Sequence, residues 1–148
     1  MAVRITSNIS SSPSLRSLVP KNEISFRPVN QYDGTAIKRL YHADNLDVLN
    51  YLIKDSKVCG KVDLIYIDPP YNTGGAFETR DFIHAYDDKY STDEYIRFMQ
   101  VRLKLLHTLL SAEGSIYVHL DSNMVFHVKI LMDDIFGVKN FRGMITRK

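Results

Sequence analysis

Residues 62–74 read Val62-Asp63-Leu64-Ile65-Tyr66-Ile67-Asp68-Pro69-Pro70-Tyr71-Asn72-Thr73-Gly74, and this stretch decides the fold. Its first six residues form a mostly apolar run that predicts a buried strand of a parallel sheet. The two prolines stop that strand, because neither has an N–H to donate to a sheet ladder. They also fix their own backbone and push the preceding residue toward extended geometry. The sequence therefore predicts a rigid turn at the carboxyl end of a strand.

The predicted turn gathers chemical groups that suit a flat ring bearing an amine. Asp68 provides a carboxylate, Pro69 and Pro70 provide free backbone carbonyls, and Tyr71 provides an aromatic ring. The carboxylate and a carbonyl can accept hydrogen bonds from the amine, and the tyrosine can stack on the ring. Ligands of open α/β sheets bind at the carboxyl ends of the strands. We therefore expect the functional site at this turn.

Composition sets wide limits on the class of protein. The 148 residues are enough for one domain with a core, and a net charge of +2 creates no strong overall field for DNA. Cys59 is the only cysteine, which excludes an internal disulfide and a cysteine-based zinc site. No apolar run reaches the roughly 18 residues that a membrane span requires. The N-terminus lacks a secretory pattern, so we expect a cytoplasmic protein with no membrane partner.

The chain divides into two parts by composition. Residues 1–34 are rich in serine and proline, which predicts a flexible N-terminal arm. Residues 35–148 alternate between strand and helix patterns, which predicts a parallel sheet with helices on its faces. Residues 72–91 are predicted to be a long polar and aromatic loop. The predicted strands are 39–42, 62–67, 115–120 and 140–147, and the predicted helices are 46–53, 93–110 and 123–135.

These motifs resemble a known family. Asp68-Pro69-Pro70-Tyr71 resembles the catalytic signature of S-adenosylmethionine-dependent amino-methyltransferases that act on DNA. The longer stretch 66–74 is similar to adenine-N6 enzymes whose catalytic motif precedes the cofactor loop, above all the modification subunits of type III restriction systems. The resemblance extends from about residue 40 to residue 148. It implies an α/β chain with a partial Rossmann-like methyltransferase fold, a mostly parallel sheet with flanking helices.

The resemblance assigns roles to the turn. Asp68 and the carbonyl of Pro69 would accept hydrogen bonds from the amino group of adenine, with Pro70 completing the catalytic motif. Tyr71 would stack on the base. An adenine inside a duplex cannot reach such a pocket, so the DNA partner would have to present a flipped base. S-adenosylmethionine is the implied cofactor, and it would carry the reactive methyl group.

Other positions have two interpretations each. Asn72, Thr73 and Gly74 would form a wall of the base pocket by resemblance, but each also suits a simple turn. Asp44 precedes a predicted helix and suits an N-cap. By resemblance Asp44 would instead lie near the adenine half of the cofactor, and it could fill both roles. Asp68 is expected to border the cofactor as well as the base.

The end of the second predicted strand carries His119, Asp121 and Ser122. His119 and Asp121 are a weak metal pair, because no third ligand is suggested, and we predict no metal site. We expect His119 to be packed and hydrogen-bonded, and Asp121 and Ser122 to border the pocket. Arg102 belongs to a set of scattered basic residues that either contact phosphate or solvate a face. The aromatic and methionine cluster between residues 90 and 99 is interpreted as packing.

The cofactor loop of the resembled family is not found in this sequence. Its glycines lie at 34, 60, 74, 75, 114, 137 and 143, and no Gly-x-Gly occurs. In the resembled class that loop follows a target-recognition region far downstream, and it brings two central strands of the sheet. Without those strands, the strands before Asp44 and Asp68 would lie apart, and an apolar edge would be open.

We therefore expect an incomplete adenine-N6 methyltransferase that needs a complementing segment or second subunit, with a restriction subunit as a further partner. The first alternative is a non-catalytic remnant or interaction module that pairs through an open sheet edge. A second alternative is an enzyme that methylates RNA or protein glutamine, since related signatures serve those substrates.

Overall fold

The computed structural model describes residues 4–6, 39–72, 76–78, 84–87 and 90–146, with side chains in 39–72 and 90–146. All statements below about this chain's structure concern those residues. The strands are β1 Arg4–Thr6, β2 Leu40–His42, β3 Val62–Ile67, β4 Ala76–Glu78, β5 His84–Asp87 and β6 Leu110–Val118. The helices are α1 Asn45–Leu52, α2 Thr92–Leu109 and α3 Val125–Phe136.

The described strands form three separate pairs. β1 pairs with β2 and β3 pairs with β6, both in parallel, while β4 and β5 form an antiparallel pair. β2 and β3 therefore belong to different sheets, although they follow one another along the chain. This separation agrees with the prediction that the strands before Asp44 and Asp68 lie apart. The result is an α/β chain with small parallel sheets and three helices.

The core lies between the helices and one face of the β3–β6 sheet. α2 packs against both α1 and α3. Its buried residues recur every three or four positions, as the periodicity of its sequence predicts. The buried residues of α2 are Tyr95, Met99, Leu103, Leu106 and Leu109. In the described part of the chain no helix is both long enough and apolar enough to cross a membrane.

Local side-chain bonds explain where the first two helices begin. Asp44 caps α1, because its carboxylate accepts a hydrogen bond from the N–H of Leu46 at 2.8 Å. Ser91 and Glu94 form a complete capping box at the start of α2, as the sequence predicts. α3 ends at Gly137, where the backbone turns to φ +88°, a conformation that favours glycine. The three predicted helices are confirmed within a few residues.

The prediction that β3 and β6 are buried strands is wrong for one face of their sheet. Ile65 and Ile67 face the core, but Leu64 and Tyr66 are 52% and 64% exposed. Tyr117 of β6 is the register partner of Tyr66 and is 49% exposed. A parallel sheet is normally covered on both faces, so this pair leaves an unusual apolar surface.

β6 begins earlier than the sequence predicts. It starts at Leu110, directly after α2, rather than at Ser115. The register with β3 shifts between Val62 and Leu64, and this irregularity takes up the extra residues of β6. Gly114 fits there because a Cβ at this position would lie only 2.7 Å from the carbonyl oxygen of Val62.

Two further predictions need correction. Residues 140–147 were predicted to form a strand, but Val138–Asn140 form a 3-10 turn and 141–146 pair with no strand of the described residues. The predicted loop 72–91 contains the β4–β5 pair.

Most of the predicted arm, residues 1–34, lies outside the described residues, as do Thr73 and Gly74. Within the arm, Arg4–Thr6 pair with β2.

Candidate active site

The Asp-Pro-Pro-Tyr turn lies at the carboxyl end of the β3–β6 sheet, as predicted. Ile67 and Val118 are register partners and are the last residues of their strands. Asp68 and His119 are therefore the first residues beyond the two parallel strands. The backbone N–H of His119 donates to the carbonyl of Ile67 at 2.9 Å, which extends the ladder by one bond. This bond holds the two chain segments side by side at the edge of the sheet.

Three side chains meet at this edge. The Tyr71 hydroxyl donates to Oδ1 of Asp68 at 2.7 Å and lies 3.1 Å from Nδ1 of His119. The same His119 nitrogen lies 3.3 Å from Oδ1 of Asp68. The rings of Tyr71 and His119 meet edge to face, with centroids 5.6 Å apart. The side chains of Asp68 and His119 are 58% and 55% exposed, so a ligand can approach the cluster from solvent.

The surroundings of Tyr71 keep its hydroxyl protonated. Partial burial, then the hydrogen bond and negative charge of Asp68, raise the pKa of Tyr71 to about 12, with smaller effects from Tyr66 and Asp121. All of these oppose formation of a phenolate beside an existing carboxylate. Tyr71 is therefore a hydrogen-bond donor and a neutral ring at ordinary pH.

The rest of the turn is anchored from α2 and from Tyr90, which lies two residues before that helix. The hydroxyl of Tyr95, a fully buried residue of α2, donates to the carbonyl of Pro70 at 2.7 Å. Asn72 adopts a left-handed backbone with φ +56°, and its side-chain oxygen accepts from the N–H of Tyr90 at 2.9 Å. The Pro69 carbonyl accepts no hydrogen bond from the described residues, so it is available to a ligand.

Asp44 lies at a second strand end, after β2. Its Oδ1 accepts from Leu46 and lies 3.9 Å from Nη2 of Arg102, while its Oδ2 receives no hydrogen bond from the described residues. The predicted capping role of Asp44 is thus confirmed, and one oxygen is left for another donor. Arg102 also donates from Nε to Asn45 at 2.8 Å.

Arg102 fits neither of its two predicted roles. Its side chain is only 14% exposed, and its guanidinium lies 3.6 Å from the centre of the Phe98 ring. Arg102 therefore joins α2 to the start of α1 instead of facing DNA or solvent. The interpretation of the neighbouring aromatic cluster as packing is confirmed, because Tyr95 and Met99 are buried and Phe98 stacks with Tyr90.

Asp121 organises the turn that leads into α3. Its Oδ1 accepts from the N–H groups of Asn123 and Met124, and its Oδ2 accepts from the side chain of Asn123. Asp121 is close enough to Tyr71 to affect its pKa, although it does not bond to it. Among the described residues no group of three His, Cys, Asp or Glu side chains could hold a metal ion.

The sequence interpretation of His119 is confirmed only in part. His119 is hydrogen-bonded, as expected, but it is more than half exposed instead of packed, and it contacts the predicted catalytic pair. The signal lay in the strand register: two parallel strands that end at paired residues place the next residue of each side by side. Of the other predicted residues, Asp68 and Tyr71 are brought together, whereas Asp44 follows β2, a strand of a different sheet.

Comparisons with known proteins show which family the chain is similar to. A family model described as DNA methylase matches residues 62–148. The chain is 43% identical over 106 residues to the type II methyltransferase M.EcaI of Enterobacter cloacae, covering 72% of this chain and 23% of that protein. It is also 43% identical over 118 residues to the probable type III restriction-modification enzyme HindVI Mod subunit of Haemophilus influenzae, covering 78% and 15%.

A third relative is the type II methyltransferase M.KpnI of Klebsiella pneumoniae. It is 35% identical over 131 residues, which cover 84% of this chain and 30% of that protein. The chain thus spans less than a third of the length of each of these three relatives. The family model, in contrast, matches more than half of the chain and includes the Asp68–Tyr71 turn and His119. On this evidence the chain belongs to the DNA methylase family.

Proposed function

We propose that this chain carries the catalytic portion of a site-specific adenine-N6 DNA methyltransferase. The observation that supports it most is the accessible Asp68 carboxylate beside the unbonded Pro69 carbonyl at the end of β3. Two acceptors at one strand end suit the two hydrogens of an exocyclic amine. Asp at the first position of the motif resembles the adenine enzymes, whereas cytosine-N4 enzymes more often have serine there.

The proposed mechanism depends on orientation. Asp68 and the Pro69 carbonyl accept hydrogen bonds from the amino group, which keeps the nitrogen lone pair directed away from the ring plane and available for bond formation. Once the nitrogen has gained its new bond to carbon it carries an extra proton, and the Asp68 carboxylate is placed to take it. Tyr71 provides an aromatic face close to the same point.

S-adenosylmethionine, when bound, supplies an electrophilic methyl group on its sulfonium and leaves as the neutral thioether. The unbonded Oδ2 of Asp44, at the end of β2, fits a hydroxyl donor such as a ribose. Asp44 would thus hold the nucleoside part of the cofactor while still capping α1. Asp68 would border the methyl end.

DNA is the proposed substrate, and its adenine would enter as a flipped base. The side chain of Asp68 is more than half exposed, so the described residues leave the acceptor open on one side. Recognition of the DNA sequence and the rest of the cofactor site would come from a complementing segment or second subunit. A restriction subunit is the further partner we propose, because relatives of this chain are named Mod subunits of type III restriction-modification enzymes.

Transfer of labelled methyl from S-adenosylmethionine to mixed-sequence DNA tests this proposal. The chain is assayed alone and together with the remaining segment of the HindVI Mod subunit, and the product is digested to identify the modified base. We expect N6-methyladenine from the pair. Asp68→Ala should lower the rate at least roughly a hundredfold, since it removes a charged acceptor at the reacting nitrogen. Glu113→Ala, an exposed carboxylate on β6, is the matched control.

The outcomes separate the proposals. No transfer by a soluble pair, or N4-methylcytosine as the product, would contradict the adenine-N6 proposal. The second candidate, a non-catalytic interaction module, is favoured by the exposed Leu64, Tyr66 and Tyr117 on one sheet face. It predicts a stable complex with the complementing segment but no binding of S-adenosylmethionine, measured by calorimetry on that complex.

A further inference from the structure

We infer that His119 is a positioning residue for the proposed reaction. It holds the carboxylate of Asp68 so that Oδ2 faces the incoming amino group. This inference rests on the proposed function, but its structural half can be tested without any methyl transfer. It is carried by the hydrogen-bond pattern of three side chains at the carboxyl end of β3 and β6.

The available protons determine the direction of each bond. A tyrosine hydroxyl has one hydrogen to donate, and the 2.7 Å bond from Tyr71 to Oδ1 of Asp68 uses it. The 3.1 Å contact between the Tyr71 oxygen and Nδ1 of His119 must then be donated by the imidazole. His119 therefore carries a proton on Nδ1.

His119 acts on Asp68 through Tyr71. Its Nδ1 lies 3.3 Å from Oδ1 of Asp68 without a hydrogen bond between them, whereas its N–H is donated to the Tyr71 oxygen. Oδ1 thus receives the hydrogen bond of the Tyr71 hydroxyl, while Oδ2 receives none from the described residues. Oδ2 is the oxygen left for the amino group of a base.

Positioning explains this cluster better than stabilisation of the fold does. Both His119 and Asp68 are more than half exposed, and ion pairs that are so exposed contribute little to stability. The geometry is nevertheless fixed from the backbone, because His119 N–H is bonded to the carbonyl of Ile67, the residue before Asp68. The imidazole and the carboxylate therefore keep their relative position when a ligand approaches.

Two substitutions of His119 by residues of nearly equal size test whether its hydrogen-bond donor matters or only its volume. The amide nitrogen of Asn can take the place of the Nδ1–H, whereas Leu has nearly the same shape and no donor. In the paired assay described above, we expect His119→Leu to lower kcat roughly tenfold, the upper range for losing a hydrogen bond between neutral groups. His119→Asn should keep kcat within about threefold of the wild type, because the donor remains. Binding of DNA should not change in either variant.

Equal loss of kcat in the Asn and Leu variants would overturn the positioning role, and so would full activity of the Leu variant. Nitrogen-15 NMR of the histidines in the chain itself supplies the independent measurement, with His119→Asn used to assign the signal. We expect the Nδ1–H form of His119, and an Nε2–H form would overturn the inference. If the paired assay shows no transfer by the wild type while the Nδ1–H form is observed, the proposed function fails and the arrangement of His119 stands.

Discussion

Tyr71 gives the site a measurable property at the scale of one residue. Burial and the adjacent Asp68 raise its pKa to about 12 from an ordinary value of 10.0. Because the folded pKa lies above the unfolded one, the neutral hydroxyl stabilises the fold fully below about pH 10. That contribution is lost as the pH rises through about 12.

We predict that Tyr71 stays largely protonated at about pH 11, where an ordinary tyrosine is mostly ionised. Carbon-13 NMR of labelled tyrosine rings measures this directly, and Tyr71→Phe identifies the signal. Asp68→Asn should bring the pKa of Tyr71 part of the way back to 10.0, because it removes the charge but not the burial. A Tyr71 signal that titrates near pH 10 in the wild type would show that neither the burial of Tyr71 nor its bond to Asp68 persists in solution.

At this scale the sequence predicts a local turn well and a contact between distant residues poorly. Two prolines after a strand predict the turn that carries Asp68 and Tyr71, because proline chemistry is local. The contact of His119 depends instead on the register between two strands that lie about fifty residues apart along the chain. That register is a property of the folded sheet, so the sequence alone left His119 assigned to packing.

At the scale of elements, α2 anchors the turn of residues 68–71. The buried Tyr95 reaches from its first turns to the carbonyl of Pro70 at 2.7 Å. We predict that Tyr95→Phe lowers the free energy of unfolding by roughly 1 kcal/mol, because the Pro70 carbonyl loses its donor. The methyl-transfer rate of the paired enzyme should fall as well, since the turn loses its tie to the helix.

Urea denaturation of the two proteins measures the loss, and the matched control is Tyr117→Phe. Tyr117 is about half exposed, so the same change there should leave the unfolding free energy within about 0.5 kcal/mol of the wild type. If both substitutions had the same effect on stability and activity, the Tyr95 bond would not anchor the turn.

The helices were predictable because their signals are local. The capping box at Ser91 and Glu94 lies within one turn, and the apolar stripe of α2 repeats within the helix itself. A strand forms only beside a partner strand, and the sequence of one strand does not identify its partner. Residues 141–146 have an extended-type sequence but no partner strand among the described residues, so the predicted strand there does not form.

At the scale of the molecule, the β3–β6 sheet is half covered. Its inner face packs on the core through Ile65, Ile67, Ile116 and Val118. Its outer face carries Leu64, Tyr66 and Tyr117, all about half exposed or more. The sequence predicted both strands as buried because it contained the apolar residues for two faces. The outer face is buried only if residues outside these two strands pack on it as a second layer.

This outer face leads to a prediction for the isolated chain. Contiguous exposed apolar side chains on a parallel pair favour association, because covering them removes apolar surface from water. We predict concentration-dependent self-association in sedimentation velocity, and weaker association in the double variant Leu64→Lys, Tyr117→Lys. Ile145→Lys supplies the control, since it adds positive charge at an apolar residue that is 87% exposed and belongs to neither β3 nor β6. Equal weakening by Ile145→Lys would mean that net charge, not the sheet face, governs association. A specific effect would instead identify the uncovered side of β3–β6 as the surface through which copies of the chain associate.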